Sequence, residues 1–327
     1  MKMNLLVTGG CGFIGSNFIR YELEKHSSIN IVNLDKLTYA GNLENLLDVQ
    51  KDYANKYAFV KGDILDAELV MSIITENKID VIINFAAESH VDRSIVNSSE
   101  FMRTNILGTQ TLLEAAKKAG IKRFIQISTD EVYGDLPDTG YFTEETPLAP
   151  NSPYAASKAS ADMLVRAYYH TYQLPVIITR CSNNYGPYQF PEKLIPLMIA
   201  NALQSKPLPI YGDGANVRDW IHVIDHSRAI DLVAQKGETG EVYNVGSNNE
   251  RTNIDIAKFI LKRLGQSETL IKFVKDRLGH DRRYAINTDK IKNQLGWRPV
   301  YDFEDGLKAT ISWYVENENW WKRIIEL

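Results

Sequence analysis

Strand-like and helix-like segments alternate along the first half of the chain, and this alternation limits the possible folds more than any other feature. Short apolar runs occur at NLLVTG, INIVNLD, YAFVKGD, VIINFAA, RFIQIS and PVIITR. Between them lie segments with helical character: FIGSNFIRYELEKH, AELVMSIITENK, NILGTQTLLEAAKKAG and SPYAASKASADMLVRAYYHTY. Strands that alternate with helices indicate βαβ units. The sequence therefore predicts the α/β class, with a doubly wound parallel sheet.

The alternation weakens after about residue 185, where proline and glycine become more frequent, as in YGPYQFPEK and KPLPIYGDG. A chain of 327 residues is long enough for two packed lobes. We therefore expect a nucleotide-binding, Rossmann-like domain at residues 1–185. Residues 186–327 are expected to form a smaller C-terminal α/β lobe that binds the substrate, with some segments crossing back to the first domain.

A glycine-rich turn, TGGCGFIG, follows the first apolar run and opens a helical segment. Its glycines fit both G-x-G-x-x-G and G-x-x-G-x-x-G, and such turns let the backbone approach a pyrophosphate at a helix N-terminus. Asp35 ends the second strand, twenty residues after Gly15, where an acid can accept hydrogen bonds from the adenosine ribose. Because Asp35 would repel a 2′-phosphate, the pattern favours NAD over NADP.

Composition and charge exclude several other classes of protein. The formal net charge of −4 argues against a nucleic-acid binder. No apolar run approaches the roughly 18 residues of a membrane span, and the N-terminus lacks the pattern of a signal peptide. The two cysteines lie far apart, which argues against a disulfide framework. We expect a cytoplasmic protein that is not associated with a membrane.

Two adjacent acids, Asp130 and Glu131, follow the apolar run RFIQI within STDEVYG. Taken alone they would be interpreted as a solvated turn, because most exposed acids have no chemical role. Tyr154 and Lys158, four residues apart in YAASK, share one face of a helical segment. A nearby ammonium and a positive nicotinamide would lower the pKa of the phenol, so Tyr154 could act as a base.

The spacing of Tyr154 and Lys158 is not specific by itself. The pattern Y-x-x-x-K also occurs at residues 21–25 and 57–61. Tyr154, in contrast, follows a strand that ends in a Ser-Thr pair, which supplies a hydroxyl partner. The combination of this strand end, the acid pair and the Tyr-Lys pair predicts a catalytic site.

Seven motifs in order carry a resemblance that covers essentially the whole chain: TGGCGFIG, DKLTYAGN, AAESHVDRSI, STDEVYG, YAASKA, SNNYGPYQFPEKLIP and RDWIHVIDH. Together they resemble the extended short-chain dehydrogenase/reductase family of nucleotide-sugar enzymes. Within it they are most similar to the 4,6-dehydratases that act on dTDP-glucose. The Thr-Asp-Glu triplet is the most specific motif, since epimerases of the family usually carry small residues there. Cys11 departs from the family pattern, which commonly has Ala.

The resemblance implies a role for each member of the catalytic set. Tyr154, with Lys158 beside it, would remove the O4 proton while hydride passes from C4 to NAD. Thr129 would hydrogen-bond O4. Glu131 would be the base at C5 and Asp130 the acid at O6, because elimination of water requires two carboxyl groups in opposite protonation states.

The resemblance also implies which residues contact the ligands, and a homodimer built on a helix pair that includes SPYAASKASADMLVRAYYHTY. For the cofactor NAD these residues are Gly9, Gly12, Phe13, Ile14, Gly15, Asp35, Lys36, Thr38, Asp63, Ile64, Ala86, Ala87, Thr104, Tyr154, Lys158 and Asn184. For the nucleotide sugar they are Ser89, Thr129, Asn183, Lys193, Leu194, Arg218, Asn253, Arg277 and His280.

Several alternatives stay open from the sequence. Other NAD-dependent nucleotide-sugar enzymes share the motifs: UDP-sugar epimerases, UDP-glucuronate decarboxylases and GDP-mannose dehydratases. The preference for a thymine base rests on the resemblance alone. A non-catalytic NAD-binding protein would be expected to lack Tyr154 or Lys158. His222 and His226 are four residues apart, but no cluster of further ligands accompanies them, so we predict no metal site.

Overall fold

A central parallel sheet organises the computed structural model, which describes residues 3–326. Within these residues the strands are β1 (Met3–Thr8), β2 (Ile29–Asp35), β3 (Tyr57–Lys61), β4 (Val81–Asn84), β5 (Arg123–Thr129), β6 (Val176–Cys181), β7 (Asn183–Tyr185), β8 (Leu208–Tyr211), β9 (Val217–His222), β10 (Val242–Val245), β11 (Glu250–Thr252) and β12 (Ile271–Val274). Seven of them form the sheet in the order β10-β6-β5-β4-β1-β2-β3. All neighbours in it are parallel.

The connections between strands are mostly helical. The helices are α1 (Phe13–Lys25), α2 (Leu47–Asp52), α3 (Ala67–Glu76), α4 (Val91–Val96), α5 (Ser99–Phe101), α6 (Thr109–Ala119), α7 (Pro153–Tyr172), α8 (Leu194–Leu203), α9 (Val223–Lys236), α10 (Asn253–Arg263), α11 (Asp289–Leu295), α12 (Phe303–Glu316) and α13 (Glu318–Glu326). A π-helical segment, Met102–Gly108, joins α5 to α6. The predicted α/β, Rossmann-like fold is confirmed, and each strand predicted in the first half is present.

Helices cover both faces of the sheet, and neighbouring residues of one strand pack into different cores. Leu5 and Val7 of β1 face α1 and α9, where they belong to one buried cluster. Leu6, between them, belongs to a second cluster with residues of α3, α6 and α7. A strand buried on both faces requires a continuous apolar run, and NLLV supplies one. The two cores therefore follow directly from the sequence pattern.

The second half of the chain contributes to the central sheet and also forms a core of its own. β10 pairs with β6 at the edge of the sheet, and α9 packs against α1. A third buried cluster joins α8, α10, α12 and α13, beside a three-stranded sheet β11-β9-β7 and a two-stranded sheet β12-β8. The boundary between two domains at residues 185 and 186 stays a prediction. Within residues 3–326, no helix combines the length and apolar character needed to cross a bilayer.

Candidate active site

A cavity of about 340 Å³ lies at the carboxyl ends of the parallel strands. The strand order reverses between β1 and β4, which is where open α/β sheets bind nucleotides. Every residue that the sequence assigned to the cofactor lines this cavity. Glu131, the Tyr-Lys pair and the glycine-rich turn therefore meet in one space, whereas Asp130 is not among the residues that line it.

The backbone of the glycine-rich turn packs so closely against its surroundings that Gly9 and Gly15 have no room for a side chain. Gly9 has a φ of +69°, and a Cβ there would lie 2.6 Å from the amide nitrogen of Ala86. A Cβ on Gly15 would lie 2.5 Å from the carbonyl oxygen of Gly9. These approaches leave the start of α1 open to the cavity, so the backbone N–H groups there can receive a pyrophosphate.

Asp35 holds the glycine-rich turn as well as facing the cavity. Its two carboxylate oxygens accept hydrogen bonds from the amides of Cys11 and Leu37, both at 2.8 Å. Burial raises the pKa of Asp35, while these two N–H donors act in the opposite direction. Next to it, Lys36 Nζ lies 2.8 Å from a carboxylate oxygen of Asp63. This arrangement can hold an adenosine ribose, and the acid would disfavour a 2′-phosphate.

The Thr-Asp-Glu triplet forms the start of a 3₁₀ turn, Asp130–Tyr133, at the end of β5. The Thr129 hydroxyl accepts a hydrogen bond from the amide of Glu131 at 3.3 Å and donates to Asp130 Oδ1 at 3.3 Å. Asp130 is 1 % exposed, and its Oδ2 has no hydrogen-bond partner among residues 3–326. Burial, together with Glu131 and Asp219, raises the pKa of Asp130 well above its usual range. The fold therefore favours the protonated form of Asp130.

Glu131 has a different electrostatic environment, although it is the next residue. Burial raises its pKa, but three cations act against this: Arg277, Arg218 and Lys193. These cations come from the second half of the chain and stabilise the ionised carboxylate. The pKa values of both carboxyls are therefore raised, with Asp219 adding to the rise at Asp130 and the three cations opposing it at Glu131.

Tyr154 and Lys158 lie in the first turns of α7, which begins with Ser152 as N-cap and Pro153 at its first position. Lys158 Nζ donates a hydrogen bond to the carbonyl oxygen of Ile127 at 2.6 Å. Burial and the Glu131 carboxyl raise the pKa of Tyr154 well above its usual value, whereas Thr129 lowers it. The prediction that Lys158, together with the positive nicotinamide, lowers the pKa of the phenol stays a prediction. The positive nicotinamide would have to supply the opposing charge.

The residues predicted to bind the nucleotide sugar fall into two groups. Those lining the cavity are Ser89, Thr129, Asn183, Lys193 and Leu194. Those outside its lining are Arg218, Asn253, Arg277 and His280. Lys193 Nζ donates to the carbonyl oxygen of Ser89 at 2.8 Å, which ties the two halves of the chain together across the cavity.

The second group forms a layer behind the acid pair. The Arg218 guanidinium lies 4.1 Å from the centre of the Tyr284 ring and donates to the carbonyl oxygen of Asp281 at 2.9 Å. His280 Nδ1 lies 2.7 Å from Asp276 Oδ1. Asn253 is the first residue of α10 and is buried. Arg218 and Arg277 act on Glu131 through their charges.

The most important residue that the sequence analysis missed is Asp219. Its carboxylate is buried and accepts hydrogen bonds from the amides of Asn249 at 2.7 Å and Ser247 at 3.2 Å. Asp219 also contributes to the raised pKa of Asp130. The signal was present as an acid inside the strand VRDWIH, because a charged residue in a buried strand requires compensating donors.

His222 and His226, which are four residues apart, each contact a neighbouring side chain. The His222 ring stacks on Tyr301 with centroids 3.9 Å apart. His226 Nδ1 lies 2.9 Å from Asn184 Oδ1. A separate cluster, Glu22 with His26 and Asp231, brings three potential ligand atoms within 4.8 Å of one another. Burial and the neighbouring Asp231 raise the pKa of Glu22 to about 9.

The doubly wound sheet, the glycine-rich turn and the Tyr-x-x-x-Lys pair define an extended short-chain dehydrogenase/reductase. Within that class, the sequence matches the family described as GDP-mannose 4,6 dehydratase over residues 6–310, and the chain belongs to this family. It is 52% identical to a dTDP-glucose 4,6-dehydratase of Xanthomonas campestris, over 98% of this chain and 95% of the relative. It is 49% identical to a dTDP-glucose 4,6-dehydratase of Escherichia coli, over 99% of this chain and 97% of the relative.

Solved structures agree with this placement. A Bacillus anthracis dTDP-glucose 4,6-dehydratase in complex with NAD is 57% identical, with a TM-score of 0.93 over 98% of this chain and 99% of that one. A UDP-glucose 4-epimerase of Thermotoga maritima is 30% identical, with a TM-score of 0.89 over 97% of this chain and 100% of that one. Since dehydratases and epimerases share the fold, the fold alone does not distinguish their reactions.

Proposed function

We propose that this protein is an NAD-dependent dTDP-glucose 4,6-dehydratase. It is a hydro-lyase that converts dTDP-glucose to dTDP-4-dehydro-6-deoxyglucose and water, in the biosynthesis of dTDP-rhamnose and related deoxysugars. The identities of about 50% over nearly the full chain to enzymes of this name support the assignment. A relative solved with NAD supports the cofactor.

The observation that carries the proposal is the unequal acid pair at the end of β5. Asp130 is buried and its pKa is raised well above the usual value, whereas at Glu131 three cations oppose the rise that burial causes. Elimination of water across C5 and C6 requires a proton acceptor and a proton donor at the same time. An epimerase makes no use of such a pair, which favours dehydration over epimerisation.

The residues of the cavity fit NAD. The close approaches at Gly9 and Gly15 clear the backbone for a pyrophosphate, and Asp35 is placed for the ribose. When bound there, NAD would supply the acceptor for hydride from C4 of the hexose and the source of hydride for C6, with no net change of the cofactor in one turnover. We propose that the residues assigned to NAD from the sequence hold it along the cavity, from the glycine-rich turn to Asn184.

We propose that Tyr154 takes the proton from O4, with Thr129 hydrogen-bonded to the same oxygen. The ketone that results acidifies the C5 proton, which Glu131 removes. Asp130 donates its proton to O6, so the hydroxyl departs as water and a C5–C6 double bond forms. Glu131 then returns its proton to C5 as hydride reaches C6. Lys193, Arg218 and Arg277 supply positive charge near Glu131, which suits the diphosphate of the substrate as well.

GDP-mannose is the main rival substrate, because the matching family carries that description. The acid at the end of β2 argues against it, since GDP-mannose dehydratases favour NADP and Asp35 favours NAD. UDP-sugar epimerases and decarboxylases do not require both Asp130 and Glu131. A non-catalytic NAD-binding protein would not require Tyr154 and Lys158 in one cavity.

The experiment that tests the proposal is incubation of the protein with dTDP-, UDP- and GDP-hexoses, read by mass spectrometry for loss of water. We expect the 4-keto-6-deoxy product from dTDP-glucose, without added NAD if the cofactor co-purifies. Conversion of UDP- or GDP-sugars alone would show that the substrate assignment is wrong.

We also propose that the protein is a cytoplasmic homodimer. Its two cysteines, Cys11 and Cys181, are free and buried, as suits a reducing compartment. Exposed apolar side chains on α7, Met163 and Tyr172, support the helix pair expected from the sequence as the interface. Sedimentation analysis of the wild type and Met163→Glu tests this, with a monomeric variant expected.

A further inference from the structure

His226 occupies the first turns of α9 and is completely buried, with 0 % of its surface exposed. Its Nδ1 lies 2.9 Å from the side-chain oxygen of Asn184. Asn184 belongs to β7, lines the cavity together with Cys181 and Lys158, and is one of the residues assigned to the cofactor. A buried imidazole thus lies directly behind the end of the cavity where Tyr154 is found.

The hydrogen bonds of Asn184 fix the direction of its amide and hence the tautomer of His226. Asn184 Nδ2 donates to the carbonyl oxygen of Ser182 at 3.0 Å and reaches Cys181 Sγ at 3.4 Å. A backbone carbonyl can only accept, so the amide oxygen must face the imidazole. His226 therefore carries its proton on Nδ1 and donates it to Asn184. Burial lowers the pKa of His226 to about 3, so the ring is neutral throughout the working pH range.

The other ring nitrogen shows that this histidine does not serve the packing alone. His226 Nε2 is buried and has no hydrogen-bond partner within residues 3–326. An unsatisfied buried nitrogen costs free energy that an apolar side chain of similar size would not. The benefit of a histidine here is thus the single hydrogen bond that it donates.

We infer that His226 is a positioning residue that fixes Asn184, and through it the end of the cavity that receives the nicotinamide. The inference rests on the proposed function, because it assigns NAD to this cavity. The chain of contacts continues beyond Asn184: Cys181 Sγ lies 3.4 Å from the carbonyl oxygen of Ser128, the residue before Thr129. His226 on α9 is thereby linked to the end of β5, where the reacting groups meet.

Two variants of nearly equal size separate the hydrogen bond from the packing. In His226→Asn the side-chain N–H donor lies the same number of bonds from Cα as Nδ1 does in the wild type. The side chain of His226→Leu branches in the same way as that of His226→Asn but has no donor. We expect His226→Leu to weaken NAD binding about tenfold, as the loss of one neutral hydrogen bond would, and to lower kcat while KM for dTDP-glucose stays near that of the wild type. His226→Asn should restore most of both, and the thermal midpoint of His226→Leu should equal or exceed that of the wild type.

The binding of NAD is measured by titration of protein from which the cofactor has been removed, in the absence of any sugar nucleotide. Equal NAD affinity in the two variants, or equal losses in both, would overturn the inference because the donor would then be irrelevant. A parallel loss of NAD affinity and thermal stability in His226→Leu would also overturn it. If the wild type fails to dehydrate dTDP-glucose but the two variants differ in NAD affinity as expected, the proposed substrate is wrong and the positioning role stands.

Discussion

Asp130→Asn tests two effects of this acid separately: its effect on the rate of water loss and its effect on the free energy of unfolding. The fold favours the protonated form of Asp130, because burial and its acidic neighbours raise its pKa well above the usual value. Asparagine has almost the same shape as the protonated acid but cannot donate a proton to O6. Loss of a positioned general acid should lower the rate of water loss about 10²- to 10⁴-fold.

The effect on stability has a definite sign and slope. An unfolded Asp loses its proton near pH 3.9, whereas folded Asp130 keeps it to a much higher pH. Between these two pKa values the folded state holds a proton that the unfolded chain has lost, so a rise in pH favours unfolding. Each pH unit in this interval lowers the free energy of unfolding by about 1.4 kcal/mol. Asp130→Asn removes this contribution, so across this interval its free energy of unfolding should fall less steeply with pH than that of the wild type.

Denaturant unfolding at several pH values measures the effect on stability. Mass-spectrometric detection of the product measures the effect on water loss. Glu22→Gln is a matched control, because burial also raises the pKa of Glu22, to about 9, and this residue is not part of the cavity lining. The control should show a slope difference of the same sign with the rate of dehydration unchanged. The comparison uses the change of unfolding free energy with pH and not the unfolding free energy itself, since a buried asparagine amide adds a cost that does not depend on pH.

Two results would refute this reasoning. If the stability of Asp130→Asn changes with pH in parallel with that of the wild type, Asp130 is not held protonated in the fold. If the slope differs as expected but water loss continues at the wild-type rate, Asp130 is protonated but is not the acid at O6.

Three further substitutions test other parts of the site. Glu131→Gln should block water loss while C4 oxidation persists, seen as absorbance of reduced nicotinamide; unchanged product formation would show that Glu131 is not the base. Tyr154→Phe should abolish hydride transfer itself, so that no reduced nicotinamide appears, and full activity would contradict its role. Gly15→Ala should weaken NAD binding at least tenfold, because its Cβ would lie 2.5 Å from the Gly9 carbonyl oxygen; affinity equal to that of the wild type would show that the turn can relax.

The first half of the fold could be predicted from local patterns, because each strand of the central sheet there is a continuous apolar run with a helix after it. The glycine-rich turn and Asp35 were equally accessible, since sequence separation and strand order place both at the same edge of the sheet. The start of α7 was also predictable, because Ser152 and Pro153 are typical of a helix N-terminus. These features depend on residues that are close together in the sequence.

Other features depend on contacts between distant parts of the chain, which no local pattern reveals. β10 joins the first sheet from residue 242, and its sequence differs little from that of other short strands. The pairing of His226 with Asn184 spans 42 residues, and neither residue signals the other. The effects of burial and of Glu131 on the pKa of Tyr154 likewise depend on the packed environment and not on spacing.

The difference between the two acids arises from the same long-range packing. Asp130 and Glu131 are adjacent, so their intrinsic chemistry is nearly equal, and each is desolvated. Asp219 from β9 adds negative charge near Asp130, while Arg277 and Lys193 add positive charge near Glu131. Both influences come from residues beyond 185, so the protonation states that elimination needs exist only when the second half of the chain is packed against β5. The acid pair in the first half is thus complete as a catalytic unit only in the assembled fold.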